Sequence, residues 1–210
     1  MIEIEVWSDI VCPFCYIGKR HLEAALKKSG LAEDQVRVRW KSFELDPQAA
    51  RDPVSGLSEL LAKKYGKSVE WAKQLHDQMR EQAKTVGLDY RFDLARPTNT
   101  FDAHRLIHLA DRHGLQEKAE ERLFQAYYTR GEHVGDPETL TRIGAELGLD
   151  PKEVKQMLES DALADEVRRD EQEAQEVGVA GVPFFVINRK YAISGAQPVE
   201  VFEEVLRNAL

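Results

Sequence analysis

Residues 2–15 read IEIEVWSDIVCPFC, and this stretch decides the fold because an alternating apolar and acidic run leads directly into two cysteines. Alternation with a period of two predicts a half-buried β-strand. Pro13 fits the first position of a helix, which makes Cys12 its N-cap residue. The helix is predicted to continue to about Lys28, since Gly30 follows and glycine commonly ends helices. The chain therefore begins with a strand and a helix.

The rest of the chain completes this unit in two separated parts. Residues 36–41 alternate like the first strand, so the opening is predicted to be βαβ with parallel strands. Residues 57–177 carry helical periodicity. Two apolar runs, 184–187 and 191–193, then predict strands, and 198–209 predict a closing helix. The sequence thus indicates an α/β fold with a helical insertion.

Capping residues mark the helices of the insertion. Helix starts are predicted after Ser68, after Thr98 or Asn99, at Asp136-Pro137, at Asp150-Pro151 and after Ser160, and ends near Gly87, Gly114 and Gly178. The insertion has no separate chemical signature and is interpreted as a cover over the βαβ core. We divide the chain into one domain formed by 1–56 and 178–210 and an inserted helical domain, 57–177.

Composition excludes several function classes. The formal charge of −8 disfavours nucleic acid and acidic membranes as partners. No segment approaches the roughly 18 consecutive apolar residues of a membrane span. The first residues alternate rather than forming a basic start and an apolar run, so we expect a cytoplasmic location. Oligomeric state stays open, because apolar helix positions could serve a core or an interface.

Cys12 and Cys15 are the only cysteines, and their spacing favours disulfide exchange. Residues three apart on a helix lie roughly 5–6 Å apart, within reach of a disulfide. Amides at the helix N-terminus favour a thiolate at Cys12, which we predict to be the nucleophile, with Cys15 resolving the mixed disulfide. This chemistry needs no bound cofactor. Structural zinc would need two further ligands, and two inert buried cysteines are the remaining alternative.

The segment around Val182-Pro183 is the second signal. Proline cannot donate to a sheet ladder, yet Pro183 directly precedes a strongly apolar strand. Most peptide bonds before proline are trans, so an ordinary strand start is one interpretation. The other hypothesis is a cis bond that faces the dithiol.

The Cys-Pro-Phe-Cys motif, Gly-Val-Pro-Phe-Phe at 181–185 and Ser-Gly-Ala-Gln at 194–197 together resemble the DsbA family, particularly its cytoplasmic FrnE-like branch. The resemblance covers essentially the whole chain. It implies a thioredoxin fold with a central mixed sheet and a cis-proline beside the active site. By match, Cys12 is the exposed nucleophile and Cys15 the resolving thiol, while the residues implied to support the site or contact substrate are Pro13, Phe14, Val182 and Pro183.

Residues 97–105 also resemble that branch, whose glutathione-using relatives place the corresponding region near their pocket. Asn99 and His104 are therefore possible pocket residues, although Asn99 could simply cap a helix and His104 could be a polar helix position. His104 and His108 stand four apart, but no metal-ligand motif accompanies them. Asp9 could tune Cys12 or simply end the first strand.

Three function classes follow. The first is a thiol-disulfide oxidoreductase that acts on protein or small-molecule thiols and disulfides, with glutathione or another thiol as co-substrate. The second is a glutathione-dependent isomerase or transferase resembling 2-hydroxychromene-2-carboxylate isomerases, which typically carry serine at the Cys12 position. The third is a redox-sensing chaperone or binding protein.

Overall fold

The computed structural model describes the backbone of residues 1–210 and their side chains except that of Glu33. A four-stranded sheet lies at its centre, formed by β1 (Ile2–Ser8), β2 (Val36–Ser42), β3 (Phe184–Ile187) and β4 (Tyr191–Ser194). The order across the sheet is β2-β1-β3-β4. β1 runs parallel to β2 and antiparallel to β3, which is antiparallel to β4. The predicted mixed sheet of βαβ and ββα units is confirmed.

Helices cover both faces of this sheet. α1 (Pro13–Ser29) joins β1 to β2 and packs against the helix that closes the chain. In chain order the remaining helices are α2 (Leu57–Tyr65), α3 (Val69–Thr85), α4 (Phe101–Arg112), α5 (Gln116–Gln125), α6 (Pro137–Leu147), α7 (Pro151–Leu158), α8 (Ala164–Val177) and α9 (Val199–Ala209), with a π-helical turn at Ala126–Arg130. The helical insertion between β2 and β3 is confirmed. The domain boundaries stay a prediction, and α5 and α8 pack directly on β2.

β1 is more buried than its alternating sequence predicts. Ile4 and Val6 pack with residues of α1 and α9 on one face, and burial of each side chain contributes about 1.5–3 kcal/mol. Trp7 is fully buried on the other face, where its indole Nε1 donates to the Asp170 carbonyl of α8 at 2.9 Å. The prediction of a half-buried strand is therefore wrong for β1, because the insertion covers its second face.

The predicted caps account for three helix starts. The Ser68 hydroxyl accepts from the Trp71 amide at the start of α3. The carboxylates of Asp136 and Asp150 likewise accept from amides in the first turns of α6 and α7. Satisfying these amides contributes about 1 kcal/mol per helix.

Two features of the insertion differ from the prediction. α8 begins at Ala164 rather than after Ser160, because Leu163 adopts a left-handed conformation with φ of 67° and the Ser160 hydroxyl donates back to the Gln156 carbonyl. α5 was not predicted. Its N-cap is Leu115, whose side chain makes no capping hydrogen bond. Within the described chain, every helix is too short or too polar to cross a bilayer.

Candidate active site

The dithiol lies at the N-terminus of α1. Cys12 is the N-cap, with an extended backbone (φ −91°, ψ 111°), and Pro13 occupies the first helical turn, as predicted. The Cys12 amide donates to the Asp9 carbonyl at 3.0 Å, and the Cys15 amide donates to the Cys12 carbonyl at 3.0 Å. Both side chains are free thiols. The loop after β1 and the first turn of α1 thus fix the positions of the two sulfurs.

The Cys12 sulfur does not accept a capping hydrogen bond. It lies 3.4 Å from the Val182 carbonyl oxygen, to which the thiol donates. Cys12 is only 4% exposed and belongs to the same apolar cluster as Val182. The expectation of an exposed nucleophile is therefore wrong for this structure, because the segment before β3 covers the sulfur. Phe14, by contrast, is 42% exposed beside the dithiol.

Val182 and Pro183 lie next to the dithiol, and the peptide bond between them is cis. The hypothesis of a cis bond facing the cysteines is confirmed. Pro183 also lies close to α1 at Gly18, where a Cβ atom would come within 3.0 Å of the proline Cγ and 3.1 Å of the Phe185 Cζ. A glycine in α1 is what allows the proline ring to approach this closely.

Cys15 occupies a different environment from Cys12 although it is one helical turn away. Its side chain has no solvent exposure. Burial raises the pKa of its thiol well above the ordinary value, and the neighbouring Cys12 adds to the rise. The Ser8 side chain and the Asp9 backbone oppose it. Cys15 is thus held as a neutral thiol in the reduced protein.

Aromatic residues of the insertion cover the dithiol. The Tyr90 hydroxyl donates to the Pro13 carbonyl at 2.6 Å, and its ring stacks on that of Tyr128 with centroids 4.5 Å apart. The Tyr128 hydroxyl is buried and has no hydrogen-bond partner among the described residues. Burial, and then the nearby cysteines, raise the pKa of Tyr90 far above its ordinary range. No sequence motif marks either tyrosine.

Asp9 and His104 form a buried pair behind the loop that holds Cys12. The Asp9 Oδ2 accepts from the Leu45 amide at 2.8 Å, and Oδ1 lies 3.5 Å from the His104 Nε2. Neither Oδ1 nor Nε2 has a hydrogen-bond partner within the described chain. Burial opposes protonation of His104, but Asp9, Glu120 and Glu44 together outweigh it and raise the pKa of the imidazole. His104 is therefore linked to the dithiol loop through Asp9.

Glu120 of α5 is a second buried acid in this region, and no sequence motif marks it. It is 1% exposed, and its Oε1 accepts a hydrogen bond from the Ser8 hydroxyl at 2.8 Å. Burial raises its pKa to about 7, against the opposing influence of Ser8 and of His104. Ser8 is the last residue of β1, so this acid reaches the strand that leads to the dithiol.

The remaining predicted pocket residue, Asn99, has a local structural role. Its Oδ1 accepts from the Phe101 amide at 2.9 Å, at the start of α4, and its Nδ2 faces Glu44 and the Pro47 carbonyl. These hydrogen bonds do not reach the dithiol. The site role of Asn99 stays a prediction. The N-cap of α4 is Thr100 rather than Thr98 or Asn99, but the Asn99 side chain still binds the first amide of the helix.

His104 and His108 do not converge on a common point. The His108 Nε2 lies 3.0 Å from the Ser42 hydroxyl and 3.2 Å from the Asp170 carboxylate. In the part of the chain that the structure describes, no group of three or more His, Cys, Asp or Glu residues could hold a metal ion.

A sheet of this topology, with a helix-terminal dithiol beside a cis-proline, defines the class of thioredoxin-fold proteins. Residues 3–207 match the model of the DSBA-like thioredoxin domain, and the chain belongs to this family. It is similar to the crystal structure of a probable DsbA oxidoreductase from Streptomyces coelicolor, with a TM-score of 0.93 and 42% identity over 100% of this chain and 90% of the other.

Two more distant structures share the fold. A 2-hydroxychromene-2-carboxylate isomerase has a TM-score of 0.75 and 16% identity, over 98% of this chain and 95% of the other. The cytosolic disulfide reductase DsbM from Pseudomonas aeruginosa has a TM-score of 0.70 and 20% identity, over 98% and 97%. DsbM has also been solved with GSH.

Proposed function

We propose that this member of the DsbA-like oxidoreductase family exchanges disulfides through Cys12 and Cys15. The observation that carries the proposal is a free, helix-terminal thiol at Cys12 in contact with the Val182 carbonyl, one turn before a second free thiol. Helix N-terminal amides lie beside this position and favour negative charge. The site therefore has a nucleophile and a resolving thiol in one helical turn.

The reaction proceeds in two balanced steps. The Cys12 thiolate attacks one sulfur of a substrate disulfide, which forms a mixed disulfide and releases the first substrate thiol. The Cys15 thiolate then attacks the Cys12 sulfur, which forms the Cys12–Cys15 disulfide and releases the second substrate thiol. In reverse, the protein disulfide oxidises a substrate dithiol. Because Cys12 is 4% exposed, attack requires its contact with Val182 to open.

Phe14, Val182 and Pro183 are the proposed contacts for substrate. Phe14 is exposed and Val182 is half-buried, so both offer apolar surface beside the nucleophile, Phe14 from the first turn of α1 and Val182 from the segment before β3. A protein or small-molecule disulfide is the proposed substrate class, with glutathione or another thiol regenerating the dithiol. Independence from a bound cofactor, a cytoplasmic location and membership of the FrnE-like branch stay predictions from the sequence.

The second thiol favours this function over a glutathione-dependent isomerase. Isomerisation on bound glutathione has no need of a resolving cysteine, whereas Cys15 here is positioned one turn from Cys12 and kept from solvent. Glutathione-dependent isomerase turnover that survives Cys15→Ser would support the isomerase instead.

Trapping of the mixed disulfide tests the proposal. We expect reduced Cys15→Ser protein, incubated with a disulfide-bonded peptide, to accumulate a covalent adduct at Cys12 that is visible by intact mass, because no thiol remains to resolve it. Cys12→Ser is the matched control, since it also retains one thiol, and it should form little adduct. Equal adduct from both variants, or none from either, would refute the assigned roles.

A further inference from the structure

Tyr90 reaches the first turn of α1 from the helical insertion. Its side chain has no solvent exposure, and its hydroxyl donates to the Pro13 carbonyl at 2.6 Å, across 77 residues of sequence. Burial holds the pKa of this hydroxyl far above its ordinary range, so the group stays protonated and remains a donor at any pH at which thiols react. The two exchange steps give the hydroxyl no role.

The side chain and the backbone of Tyr90 are both fixed by their neighbours. The ring stacks on Tyr128 of the π-helical turn with centroids 4.5 Å apart, and it meets Phe92 edge-on at 5.4 Å. The Tyr90 carbonyl accepts from the Arg80 Nε of α3 at 3.2 Å, and the next amide, of Arg91, donates to the Tyr128 carbonyl at 2.6 Å. π-helical turns are rare and are frequent at functional sites. Packing and backbone hydrogen bonds thus hold the hydroxyl in place.

The Pro13 carbonyl belongs to the same peptide unit as the Phe14 amide. An N-cap side chain accepts from the amide of the second or third helical residue, here Phe14 or Cys15. The Cys15 amide already donates to the Cys12 carbonyl, whereas the Phe14 amide has no acceptor within the described chain. A hydrogen bond accepted by the carbonyl of a peptide unit polarises the unit and strengthens its N–H as a donor. The Phe14 amide is therefore the donor available to an ionised Cys12 sulfur.

We propose that Tyr90 is a positioning residue for the nucleophile, an inference that rests on the proposed function. Its hydroxyl holds the Pro13 carbonyl and thereby orients and strengthens the Phe14 amide. This amide donates to the Cys12 thiolate once the contact with Val182 opens. In this role Tyr90 acts through the Pro13–Phe14 peptide and not by contact with the substrate. Loss of the hydroxyl weakens the donor and makes the thiolate less favourable.

Other titratable groups surround the nucleophile, and they stay in place when this one hydroxyl is removed. Burial raises the pKa of Cys15 on α1 and that of Tyr128 in the π-helical turn, so both are neutral near pH 7. Arg20 of α1 is the cation that acts on Tyr90. The ionisable groups that act on His104 behind the dithiol loop are Asp9, Glu44 and Glu120. The difference between a variant and its parent therefore reports the contribution of Tyr90.

The pH dependence of Cys12 alkylation measures this contribution. The parent protein is Cys15→Ser, in which Cys12 is the remaining thiol, and its reaction with iodoacetamide between about pH 4 and 10 is followed by intact mass. The midpoint of the rate profile is the pH at which half of Cys12 is thiolate. We expect Tyr90→Phe to raise this midpoint by about 0.3–0.6 pH unit, which lowers the rate below the midpoint about two- to fourfold.

Tyr16→Phe is the matched control. It removes a hydroxyl from the same aromatic cluster, but one that donates to Glu121 at 2.7 Å rather than to the backbone of the dithiol turn, so the midpoint should stay at that of the parent. Fluorotyrosine at position 90 is a stronger donor, because fluorine makes the phenol more acidic. It should lower the midpoint, and it tests the inference even where Tyr90→Phe fails to fold.

Three results would overturn the role of Tyr90 and leave the proposed function standing: an unchanged midpoint in Tyr90→Phe, an equal shift in Tyr16→Phe, or a rise with fluorotyrosine. Loss of stability in Tyr90→Phe with an unchanged midpoint belongs to the first of these, since it shows a structural role alone. A parent protein whose Cys12 reacts at no pH would overturn the nucleophile of the proposed function as well.

Discussion

Cys12 and Cys15 differ in their surroundings more than their shared helical turn would indicate. The Cys12 sulfur lies 3.4 Å from the carbonyl oxygen of the half-buried Val182, whereas the side chain of Cys15 has no solvent exposure. We base the two proposed roles on this difference in position. Once the contact between Cys12 and Val182 opens, we expect a substrate to reach Cys12, with Cys15 enclosed one helical turn away.

The ionisation of Glu120 should make the free energy of unfolding depend on pH. Its pKa is raised from 4.5 to about 7 in the folded protein, so the folded state retains a proton that the unfolded state loses. The contribution of this group is favourable at low pH and is lost as the pH rises from 4.5 to about 7. We expect the free energy of unfolding of Glu120→Gln, measured relative to that of the wild type, to be about 3 kcal/mol larger at pH 8 than at pH 4, because only the wild type loses stability over this range.

Urea unfolding of both proteins at the two pH values measures this difference. Because Gln keeps an oxygen that can accept from Ser8, the comparison isolates the ionisation of the carboxyl group. The same difference between variant and wild type at both pH values would show that Glu120 is not a perturbed acid.

At the level of elements, α1 packs closely against Pro183 and β3, and this contact joins the helix that carries the cysteines to the cis-proline segment. A Cβ atom at Gly18 would lie 3.0 Å from the Pro183 Cγ, tighter than ordinary packing. Helix propensity alone favours Ala over Gly by about 1 kcal/mol. Overpacking costs about 1–3 kcal/mol, so we expect Gly18→Ala to destabilise the protein and Gly18→Val to do so more strongly.

Thermal unfolding of the two Gly18 variants checks this contact. A melting temperature of Gly18→Ala above that of the wild type would mean that helix propensity wins and that the α1–Pro183 contact is not tight. Slower mixed-disulfide formation in a variant that still folds would tie the contact to the function of the site.

An element could be predicted from the sequence where a local feature, such as alternation, a proline or a capping side chain, indicates it. Alternation marks β1, a proline marks the start of α1, and capping side chains mark the starts of α3, α6 and α7. The structure has a strand or a helix at each of these positions. α5 begins at a leucine that makes no side-chain cap. Glu120, which α5 carries, was therefore missed together with its helix.

For the whole molecule, the insertion does more than extend the chain. It buries the second face of β1 through α8, covers the dithiol through Tyr90, and delivers Glu120 and His104 behind it. The cysteines and Pro183 could be predicted because short motifs carry them. Glu120 and Tyr90 could not be predicted, because their contacts join segments that lie 112 and 77 residues apart in the sequence.

The central claim is that Cys12 and Cys15 form one reversible redox couple, and equilibration in graded glutathione buffers tests it most directly. After acid quenching, thiol trapping and intact mass count the oxidised cysteines at each ratio of reduced to oxidised glutathione. The account predicts a single reversible two-electron transition in which both cysteines are oxidised together. A pair that stays reduced throughout, or that ends as stable glutathione adducts without an internal disulfide, would contradict it.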